Sequence, residues 1–307
     1  SLAGTMEIEY VPDEPLRLNA FDLSGEDYGI SGSAGFAGLE TGFESDFDVL
    51  LLAEDLGRFS ALAGADLGGR AQFALDGRVT PLSGAFDLRL SGTGDDLALG
   101  HPLAERLLAG RSDLEIEVLR DESGVELKTL NVDSTGLVIA ADGTASSGAS
   151  RLGYRARLTD LGLLSPTGDG RGDARLTGSV TLAGTRLLGL TASGRLSAED
   201  GPAILPLGEE RLVTEGAELQ ATFNAETGQD WSLRTELRQP RAAGFSAGAL
   251  SVDATGTFAQ PDGGGAPDRV TAAIMASGRG LAAEDAAIGQ ALGRDVSLRA
   301  DIDYTRG

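Results

Sequence analysis

Residues 55–94 read DLGRFSALAGADLGGRAQFALDGRVTPLSGAFDLRLSGTG, and residues 160–196 read DLGLLSPTGDGRGDARLTGSVTLAGTRLLGLTASGRL. The second stretch repeats the order of the first: an Asp-Leu-Gly start, a Gly-rich turn, and two runs of alternating apolar and polar residues ending on a Ser-Gly pair. Such pairs stand at Ser91, Ser193 and Ser277. The run SGTGDDLALGHPLAERLLAGRSDLEIEV from Ser91 is echoed by SGRGLAAEDAAIGQALGRDVSLRADI from Ser277. A recurring order of elements points to stacked units, because each unit cannot bury its own apolar face without a neighbour. The expected organisation is one continuous repeat rod over 1–307, in units 1–90, 91–192, 193–276 and a partial 277–307.

Period-2 alternation dominates, and it is the signature of strands with one apolar and one polar face. It runs through Phe86, Leu88 and Leu90, then Leu114, Ile116 and Val118, then Leu152, Tyr154, Ala156 and Leu158. It returns in Leu176, Gly178, Val180 and Leu182, in Leu188 and Leu190, in Leu219, Ala221 and Phe223, and in Trp231, Leu233, Thr235 and Leu237. Val270, Ala272 and Ile274, followed by Val296, Leu298, Ala300 and Ile302, complete the series. The expectation is an all-β, elongated antiparallel sheet of about fourteen to sixteen strands. Helix signals are sparse: Pro102 to Leu108 closed by Gly110, Asp55 to Leu62 closed by Gly64, and Ala282 to Leu292.

Too few helices exist to cover such a sheet, so it must cover itself as a sandwich, a sealed β-helix, or a curled sheet whose apolar face lines a groove. Alternation is the same in all three. Leaving about 1,000 Å² of apolar face wet would forgo roughly 25 kcal/mol, more than the roughly 5–15 kcal/mol net stability of a typical protein. A groove must therefore be narrow, capped or filled.

Composition excludes several functions. Net charge is −22 with a pI near 4.3, so phosphate backbones and anionic membrane surfaces are repelled and nucleic acid is not an expected partner. There is no Cys, which removes disulfides and thiolate metal sites. The 45 Gly and 5% aromatic residues describe turns and small side chains rather than a bulky core. No apolar run is longer than Val49 to Ala53, which cannot span a bilayer. The PDGGGAP stretch at Pro261 to Pro267 is short enough to be a hairpin loop. The chain opens on Ser1 and stops soon after the last alternating strand, and the expectation is an internal section of a longer protein.

No residue set carries catalysis. His101, the only histidine, stands beside Pro102 at a helix start, where a polar residue is ordinary. GDGRGD at Gly168 to Asp173 has too few regularly spaced oxygens for calcium, and its Arg171-Gly172-Asp173 tripeptide reads first as a solvated turn. With 47 acidic residues, neighbours such as Asp95 and Asp96 or Glu199 and Asp200 carry no weight as a glycosidase pair. Trp231, the sole tryptophan, heads a strand and reads as packing. No enzyme activity, cofactor or metal is expected.

The order of a Ser-Gly strand, a short helix ending in LLAG (Leu107 to Gly110), the strand DLEIEVLRD, and later ADGTA (Ala141 to Ala145) and LTDLG (Leu158 to Gly162) resembles the repeats of TamB-like proteins of the AsmA-like group. The likeness covers about Ile30 to Ile302. It implies a long curled β-sheet with a hydrophobic interior, in an inner-membrane-anchored protein that crosses the bacterial periplasm. It further implies a role in lipid movement or outer-membrane protein assembly, with a TamA-like outer-membrane barrel as partner through regions outside this stretch. Under that resemblance the ligand is a phospholipid or other acyl chain, lined by Phe86, Leu88, Leu90, Leu114, Ile116, Val118, Leu152, Tyr154, Leu176, Val180, Leu188, Leu190, Leu219, Phe223, Leu233, Leu237, Val270, Ile274, Val296, Leu298 and Ile302. The rival expectation is a secreted adhesin or autotransporter-passenger-like β-solenoid, binding through its outer face. A carbohydrate-active solenoid comes third, since no clustered acids and aromatics mark a cleft.

Overall fold

The computed structural model describes residues 3–12, 14–38, 40, 42–146, 149–165, 168–183, 186–207, 210–225, 230–259 and 269–305; the Pro261–Pro267 loop lies outside them. Of the described residues, 70% are in strands and 9% in helices. The chain divides into two units, Ser1–Ser147 and Gly148–Gly307.

Unit 1 is a meander of nine strands: β1 (Ala3–Glu9), β2 (Leu16–Ser24), β3 (Tyr28–Phe36), β4 (Ser45–Ala53), β5 (Leu67–Thr80), β6 (Ala85–Leu99), β7 (Arg111–Asp121), β8 (Gly124–Ser134) and β9 (Leu137–Ala145). Each pairs antiparallel with the strand before it. Two helices interrupt it: α1 (Ser60–Ala63), preceded by a 3₁₀ turn at Leu56–Phe59, and α2 (Pro102–Leu107).

Unit 2 begins with β10 (Ser150–Leu158), a 3₁₀ turn at Leu161–Leu164, β11 (Asp173–Ala183) and β12 (Arg186–Ser197). It continues through β13 (Ala203–Leu207), β14 (Glu210–Thr214), β15 (Gly216–Asn224), β16 (Asp230–Arg238), β17 (Arg241–Ala242), β18 (Phe245–Ser246) and β19 (Ala249–Ala259). It closes with β20 (Arg269–Arg279), β21 (Ala282–Ala283), α3 (Ala286–Leu292) and β22 (Asp295–Thr305). The eight long strands pair antiparallel in the order β10-β11-β12-β15-β16-β19-β20-β22. The five short ones form a second sheet, β13-β14-β17-β18-β21.

Connections differ at the two ends of the strands. At one end of the unit 1 strands the chain turns through plain links such as Pro81–Gly84 and Glu122–Ser123. At the other end, and at one end of the unit 2 strands, the three helices, the 3₁₀ turns at Leu56–Phe59 and Leu161–Leu164 and the short strands are inserted. We call these the hairpin end and the cap end.

The sequence repeats become repeated local structures. After β4 and after β10, Asp55 and Asp160 sit in extended backbone and their Oδ1 atoms accept the N–H of Gly57 and Gly162, each at 2.8 Å. Each thereby satisfies a donor that the first turn leaves unpaired. The pair Ser91-Gly92 lies in β6, followed by α2 and β7, and Ser277-Gly278 lies in β20, followed by α3 and β22. The third helix starts at Ala286 rather than Ala282, because Ala282 and Ala283 pair with β18 and Asp285 supplies the cap to Ala287 and Ile288.

The Asp160 turn is tied to a buried cluster: Leu161, Leu196 and Ala203 pack with Leu158, Ala174, Ala198, Leu205 and Ala217. Asp160→Ala is expected to cost about 0.5–2 kcal/mol, and more than Asp55→Ala, since Leu161 is 1% exposed whereas no residue of the Leu56–Phe59 turn is buried. Paired chemical denaturation curves measure this, and equal midpoints for Asp160→Ala and the parent would remove the cap from the account.

Candidate functional site: the apolar face

In an antiparallel pair, directly opposed residues point to the same face, so register assigns every strand residue to a side. In unit 1, Met6, Phe21, Gly32, Val49, Leu75, Leu90, Ile116, Leu130 and Ala141 form one row across all nine strands. The rows beside it contain Phe47, Leu88, Val118 and Leu127 on the hairpin side, and Leu51, Phe73, Leu114 and Val132 on the cap side. Phe86 lies one row further toward the hairpin end, opposite Val79 and Arg120.

Unit 2 has rows of the same kind. Leu152, Val180, Leu190, Phe223, Trp231, Gly256, Ala272 and Ile302 form one; Tyr154, Leu233 and Ile274 share the next; Leu176, Leu219 and Leu298 share the third; Leu237 and Val296 share the fourth. Val270 sits opposite Phe258 and Tyr304 at the hairpin end. Within each unit, the residues singled out by alternation thus share one face. The exception is Leu188: the β11–β12 register steps from Gly189 to Leu187, so Leu188 is the extra residue of a bulge and has no partner on β11.

Glycines on this face are occupied by neighbours. A Cβ on Gly92 would lie 2.1 Å from the Gln72 carbonyl oxygen and 2.6 Å from Phe73 Cδ1; one on Gly178 would lie 1.9 Å from the Thr191 oxygen and 2.7 Å from the Tyr154 hydroxyl oxygen. One on Gly256 would lie 1.9 Å from the Thr271 oxygen and 2.9 Å from Trp231 Cε2. Phe73, Tyr154 and Trp231 are the direct cross-strand partners of those three glycines. Phe21 and Phe47 likewise stand opposite Gly32 and Gly77. A bare backbone beside a ring lets the ring lie along the sheet, an arrangement that restores packing where glycine alone would weaken the strand.

Burial on the face is graded. Of the expected lining residues only Phe223 is buried, at 5%, where it stacks on Phe258 at 4.5 Å between ring centroids. Leu298 and Ile302 are exposed at 62% and 46%. The others are half-buried. Full burial concentrates at the cap end, where Ala53, Ala71, Ser112 and Ser134 stand in one row with Gly94. There Ser112 and Ser134 donate to the carbonyls of Leu108 and Leu107. Thr214, fully buried, plays the corresponding part in unit 2 by donating to the Gly216 and Arg238 oxygens. Sequence reasoning missed these three hydroxyl anchors, although two of them stand in the pattern Ser/Thr-x-Gly (Ser134 to Gly136, Thr214 to Gly216).

The opposite face is polar and cross-linked. Arg89 meets Glu115 at 2.7 Å, Arg195 meets Glu218 at 2.8 Å, and Arg234 meets Asp253 at 2.6 Å. The hydrogen bond from Arg269 holds the Asp303 carboxyl below the usual carboxylate range. These pairs are exposed and each contributes little to stability. Their effect is to keep this side wet.

Other candidates are absorbed by local structure. His101 Nδ1 accepts the Leu103 N–H at 3.3 Å as the N-cap of α2. Asp96 accepts the Gly110 N–H at 2.8 Å, while Asp95 lies 3.9 Å from Arg70. Arg171 donates to the Pro202 carbonyl and Asp173 is ion-paired with Arg157 and Arg175, so the Arg-Gly-Asp tripeptide is committed internally. Glu199 and Asp200 fall between β12 and β13, near the Gly201 turn. Among the described residues no three His, Asp or Glu side chains are grouped to hold a metal ion, and no helix is long and apolar enough to cross a membrane. No protein-family model, no curated protein and no solved structure matches this chain.

Proposed function

We propose that this chain is a non-enzymatic section of a TamB-like, periplasm-spanning protein whose apolar face receives lipid acyl chains or assists outer-membrane protein assembly. The observation that carries the reading is the half-buried state of the face: rows of Leu, Ile, Val and Phe run across every long strand, yet full burial is confined largely to the cap end. Apolar rows left half wet are completed by a hydrocarbon ligand at about 0.8 kcal/mol per buried methylene. Glycines whose Cβ would strike the next strand's backbone relieve crowding on this side, which favours curling toward it into a groove. The protein that contains this section is anchored in the inner membrane, with a TamA-like barrel engaged through other regions.

The rival is a secreted adhesin-like solenoid. It is less well supported, because a β-solenoid stacks its coils through parallel strands and every pairing among the described residues is antiparallel. Mass spectrometry of organic extracts, from protein purified without detergent, separates the two. Phospholipid or fatty acid released from the folded protein is the expected result, and an extract free of acyl lipid would remove the reading.

A further inference from the structure

Register places Leu114, Ile116, Val118 and Arg120 on the same side of β7, with Arg120 directly opposite Phe86 on β6 and Val125 on β8. Among the described strand residues, Arg120 is the only charged side chain that register assigns to the apolar face of either unit. It stands in the outermost row at the hairpin end, where the face is least covered. A Cβ on Gly84 would lie 3.9 Å from Arg120 Cζ, so the guanidinium rests beside the turn between β5 and β6. Arg120 is exposed and makes no ion pair with any described residue, unlike Arg89 and Arg78 on the outer face, which are held by Glu115 and Glu44. The neighbouring Asp121 points to the other side and is occupied by the N–H and hydroxyl of Ser123, which lower its pKa. In a chain of net charge −22, an unpaired cation at the mouth of an apolar row is the one place on that face where an anion is attracted rather than repelled.

We propose that Arg120 anchors the anionic headgroup of an amphiphile whose chain lies along Phe86, Leu88 and Leu90. The assignment rests on the acyl-chain reading above and adds to it the ligand class and its orientation, headgroup at the hairpin end and chain toward the cap end. A phosphate or carboxylate offers the guanidinium fork two acceptor oxygens, and such charge-assisted bonds are the stronger kind.

The test is calorimetric titration of the full 307-residue chain with dodecyl phosphate, dodecyl maltoside and inorganic phosphate, each amphiphile kept below its micelle concentration. Dodecyl phosphate is expected to bind roughly five- to tenfold more tightly than the neutral amphiphile, a range set by one partly exposed charge-assisted contact. Arg120→Gln should abolish that preference without changing the affinity for dodecyl maltoside, and Arg120→Lys should retain part of it. Arg151→Gln, an outer-face change of equal charge, should leave the preference intact. The assignment is overturned if Arg120→Gln keeps the preference, if Arg151→Gln removes it equally, or if inorganic phosphate alone binds as tightly as dodecyl phosphate. Binding of both amphiphiles without preference overturns this assignment alone, whereas binding of neither overturns the acyl-chain reading together with it.

Discussion

Gly178→Ala lowers the stability of the protein by about 3 kcal/mol or more, an overpacking cost that the strand cannot relax away, while Gly29→Ala leaves it unchanged or raises it by about 0.4–1 kcal/mol. The contrast comes from what a methyl group would meet. At Gly178 it lies 1.9 Å from the Thr191 carbonyl oxygen, a backbone atom fixed in the β11–β12 ladder, and 2.7 Å from the Tyr154 hydroxyl oxygen. That hydroxyl is itself held by its bond to Thr191. At Gly29, on the opposite face, nothing lies within 4 Å. Urea denaturation of the two variants beside the parent gives both numbers. A Gly178→Ala midpoint within error of the parent would mean that the ring does not lie along the sheet.

If the apolar face carries acyl lipid as proposed, Ile116→Asp leaves the protein folded but without that lipid. Ile116 stands between Leu90 and Leu130 in the middle row of unit 1 and is half-buried. A carboxylate there keeps contact with water through the uncovered part of the face, so the folded state survives with a loss of about 1–3 kcal/mol. A hydrocarbon chain laid over it would strip that water away and leave an unpaired charge. Glu117→Gln, on the polar face, removes a charge without touching the row and should keep the lipid. Circular dichroism and lipid extraction on the same samples read the two effects separately. Unfolding of Ile116→Asp would mark the face as a sealed core, and full lipid retention would show that no chain passes Ile116.

Much of this face is legible in the sequence because strand alternation is a local property. Leu114, Ile116 and Val118 announce their side without knowledge of any partner, and so do Leu233 and Leu237. The Asp-Leu-Gly turns and the α2 start are equally local, since the capping side chain and the N–H that donates to it are two residues apart. What depends on register is not legible. That Phe73 faces Gly92, or Trp231 faces Gly256, follows only when two strands are aligned. Arg120 is missed for a related reason: the apolar beat stops at Val118, and a charged residue at the next inward position looks like the end of the strand. The bulge at Leu188 breaks the alternation by one residue, which the sequence reads as two leucines on the same side. The strands of the second sheet in unit 2 are two to five residues long, too short to establish a period.

Because, within unit 1, each strand pairs with the strands next before and after it, the sheet can change length by whole hairpins. Inserting two strands between β7 and β8 would extend unit 1 by two spacings of about 4.8 Å, roughly 10 Å, and every later residue would keep its face and its direction. Inserting one strand would not be neutral. The chain would arrive reversed at each later strand, so the link after β8, where Ser134 anchors the cap end, would emerge beside Arg120 instead. Gain and loss of sheet in this architecture should therefore come in even numbers of strands, so that chain length varies while the capped margin stays on one side.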